Sequence, residues 1–188
     1  MLSTRNALES IEIASNLRHE SIDSSCPFSN ELEILLGFAD RLDGLRGKSN
    51  NAGQIDYSFH VENDRVSITE RQRGAPLDRI VSELMIYANT EWARQLSDSG
   101  YAAIYRSQNN GKVRHETSPS PHQGLGVSQY AWTTSPLRRY VDLVNQRQLV
   151  AMIQGAPAPY EKEDMVLVMR DFDQAHDLYN TLQRTMER

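Results

Sequence analysis

Only one cysteine, Cys26, occurs in 188 residues. An internal disulfide framework and a cysteine-based zinc site are both excluded, and a lone thiol of this kind reads as a small packing residue. Long apolar runs are missing too. No stretch approaches the roughly 18–20 residues that a membrane-spanning helix needs. The N-terminus, Met1-Leu-Ser-Thr-Arg-Asn6, lacks the basic-then-apolar run of a signal peptide, so a cytoplasmic protein with no membrane partner is the expectation. Aromatic residues make up only 7% of the chain, and there is no internal repeat or low-complexity tract. What is present, 39% hydrophobic and 24% charged residues, suffices for a folded domain with a real core.

Net positive charge is also lacking, since the formal balance is −5. The deficit is unevenly spread. Residues 1–100 hold 10 Lys/Arg against 16 Asp/Glu, and residues 149–188 hold 4 against 7. Residues 101–148 reverse the sign, with 6 Lys/Arg against 2 Asp/Glu, a net of +4. A local basic stripe can attract phosphates even on an acidic chain, although such blocks also arise as solvated faces.

Periodicity then organises the chain. Leu32, Leu35, Ala39 and Leu42 fall at helical spacing, with Ser29 or Asn30 as cap. Lys48 to Gly53 reads as a loop. Ile55, Tyr57, Phe59 and Val61 alternate with polar residues as in a half-buried strand, Glu62-Asn63-Asp64 turns, and Val66 and Ile68 continue as the partner strand. Pro76 can open a long helix with Leu77, Ile80, Val81, Leu84, Met85, Ala88 and Trp92 on one face, and Gly100 can end it. Ala102 to Tyr105 reads as a short strand. Residues 107–134 form an extended loop or irregular strands, and long irregular segments between firm helices are commonly functional. A third helix is expected from Pro136 to about Gln154, broken by Gly155-Ala-Pro-Ala-Pro159. The last spans roughly 161–188, with Met165, Met169, Phe172, Ala175, Tyr179, Leu182 and Met186 along one face. The fold class expected is α+β: one small curved antiparallel or mixed sheet packed against three or four long helices.

The stretch richest in chemistry is Tyr130-Ala-Trp-Thr-Thr-Ser-Pro-Leu-Arg-Arg-Tyr-Val-Asp142. Ser135 is placed to cap a helix, with Pro136 at its first position and Arg138 and Arg139 in its first turn. Two cations there oppose the helix dipole by a few tenths to about 1 kcal/mol each. The arrangement becomes reasonable if an anion rests on the free N–H groups, a hydroxyl and a guanidinium. The plainer reading pairs Arg138 with Asp142 one turn on, for about 0.2–0.5 kcal/mol. Tyr130, Trp132 and Tyr140 offer aromatic faces that either stack on bases or pack in the core.

Thr134-Ser-Pro-Leu-Arg-Arg-Tyr-Val-Asp142 resembles the signature of the ribonuclease II / ribonuclease R family of processive 3′-to-5′ exoribonucleases. Three further stretches are similar in order and approximate spacing. These are Glu83-Leu-Met-Ile-Tyr-Ala-Asn89, Pro121-His-Gln-Gly-Leu-Gly126 and Gln183-Arg-Thr-Met-Glu-Arg188. The likeness is clear over residues 54–188 and weak over residues 1–53, which read as a helical lead-in. By this resemblance Arg138 is the arginine on the scissile phosphate, and Glu187 the glutamate near the RNA 3′ end. Thr134 and Ser135 shape the turn, His122 sits in the approach loop, and Tyr130 and Arg139 complete the RNA-binding set. The resemblance implies a hydrolase that degrades single-stranded RNA to nucleoside monophosphates, with RNA as partner.

It also implies a magnesium ion held by a tight aspartate cluster. No Asp-x-Asp-Asp grouping occurs in this sequence, and Asp40 and Asp43 read as a solvated helical pair. The metal ligands are therefore expected to be absent, as are flanking RNA-binding modules. A fragment or truncated product is the expectation: the C-terminal part of the catalytic domain alone. The alternatives are a non-catalytic RNA-binding segment that has lost the metal site, and a helical interaction protein unrelated to RNA.

Overall fold

The computed structural model describes residue 22 and residues 28–47, 55–63, 65–72 and 74–186. Cys26, the Lys48–Gly53 loop and Glu187 lie outside the described residues. In chain order these contain α1 (Ser29–Arg46), β1 (Ile55–Glu62), β2 (Arg65–Gln72), α2 (Pro76–Asp98), β3 (Tyr105–Asn109), β4 (Lys112–Glu116), α3 (Tyr140–Gln154) and α4 (Lys162–Met186). The class is α+β. The expected single sheet is instead two separate antiparallel pairs, β1 with β2 and β3 with β4.

The chain divides into two compact units, one of Met1–Arg41 with Ser49–Ser82, the other of Leu42–Lys48 with Glu83–Arg188. In the first, the β1–β2 register sets Val61 opposite Val66 and Phe59 opposite Ile68, which places the alternating apolar residues on one face. That face is not half-buried as its pattern suggested: Tyr57, Phe59 and Val61 are 55%, 65% and 73% exposed. The buried residue of α1 is Ala39, and the Asp40 carboxylate accepts the Arg79 guanidinium. Asp40 is thus paired rather than merely solvated, and in the second unit Asp43 likewise accepts Arg46 at 3.1 Å.

The second unit holds two packed apolar clusters. Ala93 and Leu96 of α2 meet Ala103, Tyr105, Ala131 and Leu149 in one of them. Ile104, Val141, Val144 and Met165 form the other, flanked by Met169 and Phe172 of α4. The predicted apolar face of α4 is buried only along its first half, since Tyr179 and Leu182 are exposed. The strand expected at 102–105 begins only at Tyr105. Asn110 (φ 49°) and Gly111 (φ 79°) make a turn that joins it tightly to β4, a conformation that selects Asn-Gly because both central residues need positive φ. Gly155 (φ 62°) ends α3: its N–H donates to Met152 O, and Ala156 N–H to Ala151 O, satisfying carbonyls that the last turn leaves open.

Buried amides hold the segments that lack a ladder. The Asn145 Oδ1 accepts the Ile104 N–H at 2.9 Å, and its Nδ2 donates to Ile104 O at 3.0 Å and Trp132 O at 2.9 Å. Gln148 Nε2 donates to Ala102 O and Tyr160 O. Both side chains are fully buried. Replacing Asn145 by alanine strands three buried backbone groups. At roughly 1 kcal/mol or more for each, Asn145→Ala is expected to destabilise the chain by about 3 kcal/mol. Thermal unfolding followed by circular dichroism should show a midpoint lowered by roughly 6–12 °C; an unchanged midpoint contradicts this role.

Candidate RNA-phosphate site

Residues 130–139 are positioned from α2 and α3. Asn89 of α2 accepts the Thr133 N–H at 2.9 Å and the Thr133 hydroxyl at 2.6 Å through Oδ1. Its Nδ2 donates to the Tyr130 hydroxyl at 3.0 Å and to Thr134 Oγ1 at 3.2 Å. One buried amide thus fixes three residues. Gln146 Nε2 adds a bond to Thr133 O.

The helix does not begin where the sequence pattern put it. The Ser135 carbonyl accepts the N–H groups of both Arg138 and Arg139, so residues 135–139 form a turn, and α3 starts at Tyr140 with extended Arg139 (φ −131°, ψ 119°) as its N-terminal flank. Ser135 is therefore not the helix cap. The cause is Asp142, fully buried. Its Oδ1 accepts the Ser135 N–H at 2.8 Å, and its two oxygens take the Arg139 guanidinium at 2.7 and 2.8 Å. A buried, bidentate and hydrogen-bonded carboxylate outweighs the weak capping preference of a serine hydroxyl. Asp142 also stands in the first turn of α3, where the dipole favours negative charge.

The two adjacent arginines are thereby separated in role. The Asp142 pair, anticipated for Arg138, belongs to Arg139, whose guanidinium also lies 4.1 Å from the centre of the Trp132 ring. Arg138 is exposed, and its side chain makes no hydrogen bond or ion pair among the described residues. Arg139 is accordingly a buried support of the turn rather than a free ligand.

Behind the turn stands Arg106, a residue the sequence reading did not single out. Its guanidinium lies 4.6 Å from the Trp132 ring centre. It also donates to His122 Nε2 at 3.2 Å. That bond makes Nε2 the acceptor, so a neutral His122 carries its proton on Nδ1. The Leu125 N–H, 3.3 Å from Nδ1, is then served by His122 O at 3.1 Å. Burial and the neighbouring Arg106 charge hold the imidazole down at about 4. Trp132 is further edged by His115 and Phe172, and His115 Nδ1 bonds Asp173 at 2.6 Å. The ring is a platform for cations, not a free stacking surface for bases.

Tyr130 is only 7% exposed and packs edge-on against His122, which is 4% exposed. Direct contact of either with RNA does not fit this burial; both brace the turn. Thr134, Ser135 and Arg138 remain at its outer side, together with the exposed Tyr140. The second expected catalytic residue, Glu187, lies outside the described residues. Among the described residues no group of three or more His, Cys, Asp or Glu stands together as a metal site, so the side chains at hand do not fit a bound magnesium ion.

The RNB domain family model matches residues 110–155, which span β4, the braced turn and α3. Exoribonuclease 2 of Edwardsiella piscicida is 49% identical over 55 residues, 29% of this chain and 8% of that protein. Exoribonuclease 2 of Pectobacterium atrosepticum is 44% identical over 68 residues, 36% of this chain and 10% of that protein. The match thus spans about a tenth of the length of these curated relatives. In fold it is similar to an active-site mutant of the Dss1 exoribonuclease from Candida glabrata. The TM-score is 0.72 at 22% identity, covering 86% of this chain and 26% of that one. A second likeness is to Mycoplasma genitalium RNase R in complex with ribose-methylated single-stranded RNA. Here the TM-score is 0.59 at 16% identity, covering 80% and 33%.

The depressed His122 generates a test of the brace. Folding disfavours its protonated form, so the unfolded chain takes up the proton first as pH falls. The stabilisation is complete above about pH 6.5 and drains away toward pH 4. After allowance for solvent screening, roughly 1–2 kcal/mol is expected to be lost across this window. Urea unfolding of His122→Asn should show a shallower decline than wild type between these limits; parallel curves would refute the assignment.

Proposed function

We propose that this chain forms part of the catalytic domain of a 3′-to-5′ exoribonuclease of the ribonuclease II / ribonuclease R type, acting on single-stranded RNA. The observation that carries the reading is the division of labour at Arg138-Arg139. Arg139 is consumed by Asp142 and Trp132, whereas Arg138 is presented to solvent on a turn braced from α2 and α3. An unpaired guanidinium on a braced backbone turn suits a phosphate, which it can meet with charge-assisted hydrogen bonds. Thr134 and Ser135 are proposed to flank that phosphate, and Glu187 to act near the RNA 3′ end.

In the whole enzyme, hydrolysis to nucleoside monophosphates would use a divalent ion to polarise the phosphate and activate water. Because the described residues do not fit such an ion, no hydrolytic step is assigned to them. That misfit favours a second reading, an RNA-binding segment without hydrolysis of its own. Assaying the chain for nucleoside monophosphate release from a labelled single-stranded RNA separates the two.

Both readings require the Arg138 contact. Arg138→Ala is expected to weaken binding of a short single-stranded RNA by about tenfold at low salt. Fluorescence anisotropy measures this directly. Equal affinity of wild type and variant would refute the phosphate role, and with it the functional reading.

A further inference from the structure

The β3–β4 hairpin has two different faces. Arg106 and His115, directly opposite each other in the register, point to the side that meets Trp132. The other face pairs Ser107 with Arg114 and Asn109 with Lys112. There Ser107, Asn109, Asn110, Lys112, Arg114 and Glu116 line a polar pocket. Three of these are charged. Glu116 is occupied at the pocket base: its Oε1 accepts the Ser107 hydroxyl at 2.8 Å and its Oε2 the Ser120 hydroxyl at 2.6 Å, bonds that hold its carboxyl below the usual range. Lys112 and Arg114 are exposed and form no ion pair among the described residues. Two cations against one internally satisfied carboxylate leave the pocket a net positive site.

Its rim is fixed before any ligand arrives. Gln123 Oε1 accepts the Asn110 N–H at 3.0 Å, and Gln123 Nε2 donates to Asn109 Oδ1 at 3.2 Å. Gln108 Oε1 accepts the Gly124 N–H at 2.8 Å. With its oxygen engaged, Asn109 has amide N–H groups left to give. Fixed neutral donors beside two exposed cations, of which Arg114 also acts on Glu116, match an anion's lone pairs at little ordering cost.

We propose that this pocket is a second phosphate subsite, which grips the backbone of an RNA strand passing the hairpin at a point separate from Arg138. The inference rests on the single-stranded RNA reading above. It names the hairpin as a further contact that fixes how much of the strand is held. Each phosphate neutralised by a cation adds about 0.7 to the steepness with which log affinity for a single strand falls against log salt.

The test compares salt dependences by fluorescence anisotropy for a trinucleotide and for a single-stranded RNA long enough to run past the hairpin. Lys112→Ala with Arg114→Ala should flatten the long-RNA slope by about 0.7 per cation removed, and leave the trinucleotide slope at its wild-type value. Lys112→Arg with Arg114→Lys should retain the wild-type slope, which separates charge from misfolding. Arg138→Ala should flatten the slope for both ligands. An unaltered long-RNA slope in the double alanine variant, with the Arg138→Ala effect present, overturns the subsite alone. Loss of both effects overturns the RNA reading as well. Titration with inorganic phosphate adds a third arm. If phosphate alone fills the pocket while the long-RNA slope ignores Lys112 and Arg114, the site serves free anions and the RNA subsite is refuted.

Discussion

The Asp142 carboxylate is the constraint from which the rest of the site follows. It is fully buried and carries three short hydrogen bonds, one from the Ser135 N–H and two from the Arg139 guanidinium. A carboxylate in that position needs this company, because an unpartnered charge in the interior costs several kcal/mol. Satisfying it bends residues 135–139 into a turn, moves the start of α3 to Tyr140 and draws Arg139 inward. Its neighbour Arg138 is then carried outward by the same turn. One buried anion sorts two chemically identical side chains into a support and a candidate ligand.

The surroundings repeat this logic with neutral groups. Residues 101–104 and 130–135 belong to no named helix or strand, so most of their backbone groups need other partners. Asn89, Asn145, Gln146 and Gln148 provide them from two helices. An amide can donate and accept at once, so each can hold opposite sides of a strand that lacks a ladder. Irregular backbone is thereby given the fixity of secondary structure, which a site that must hold a phosphate in one geometry requires. The cation–π contacts of Arg106 and Arg139 with Trp132 add to it, and engage the indole with cations rather than with a base.

Local rules made much of this legible in advance. The β1–β2 hairpin, the long helix from Pro76 to the Gly100 turn, and the Gly155 stop all follow from period and from backbone preferences of single residues. The Arg138-Arg139 motif was visible as a charge pattern at odds with a helix start. What local reasoning could not supply was which arginine Asp142 takes. Spacings of three and four are nearly equivalent along a helix surface, and the choice is made by burial and by the Trp132 ring. Arg106 and Asn89 were missed for the same reason: their partners lie 16 to 45 residues away in sequence. The apolar alternation in β1 was read correctly as a strand, yet period alone says nothing about what covers a face.

An acidic chain proposed to hold a polyanion has to separate its charges along its length. The two carboxylates within residues 101–148 are Glu116 and Asp142. Glu116 is capped by two serine hydroxyls, and Asp142 is locked to Arg139 and Ser135. The Asp142 charge is met by Arg139, whereas Glu116 keeps its charge in the pocket of Lys112 and Arg114, where the two bases outnumber it. Elsewhere on α2 the acids neutralise bases locally: Arg94 bonds Glu91 and Asp98 on the same helix, a surface pairing worth little in stability. Within a Debye length of about 8 Å at physiological salt, a strand senses the nearest charges more than the formal total. The net balance of −5 is therefore compatible with a surface that holds RNA, because six bases stand against two acids in the central segment.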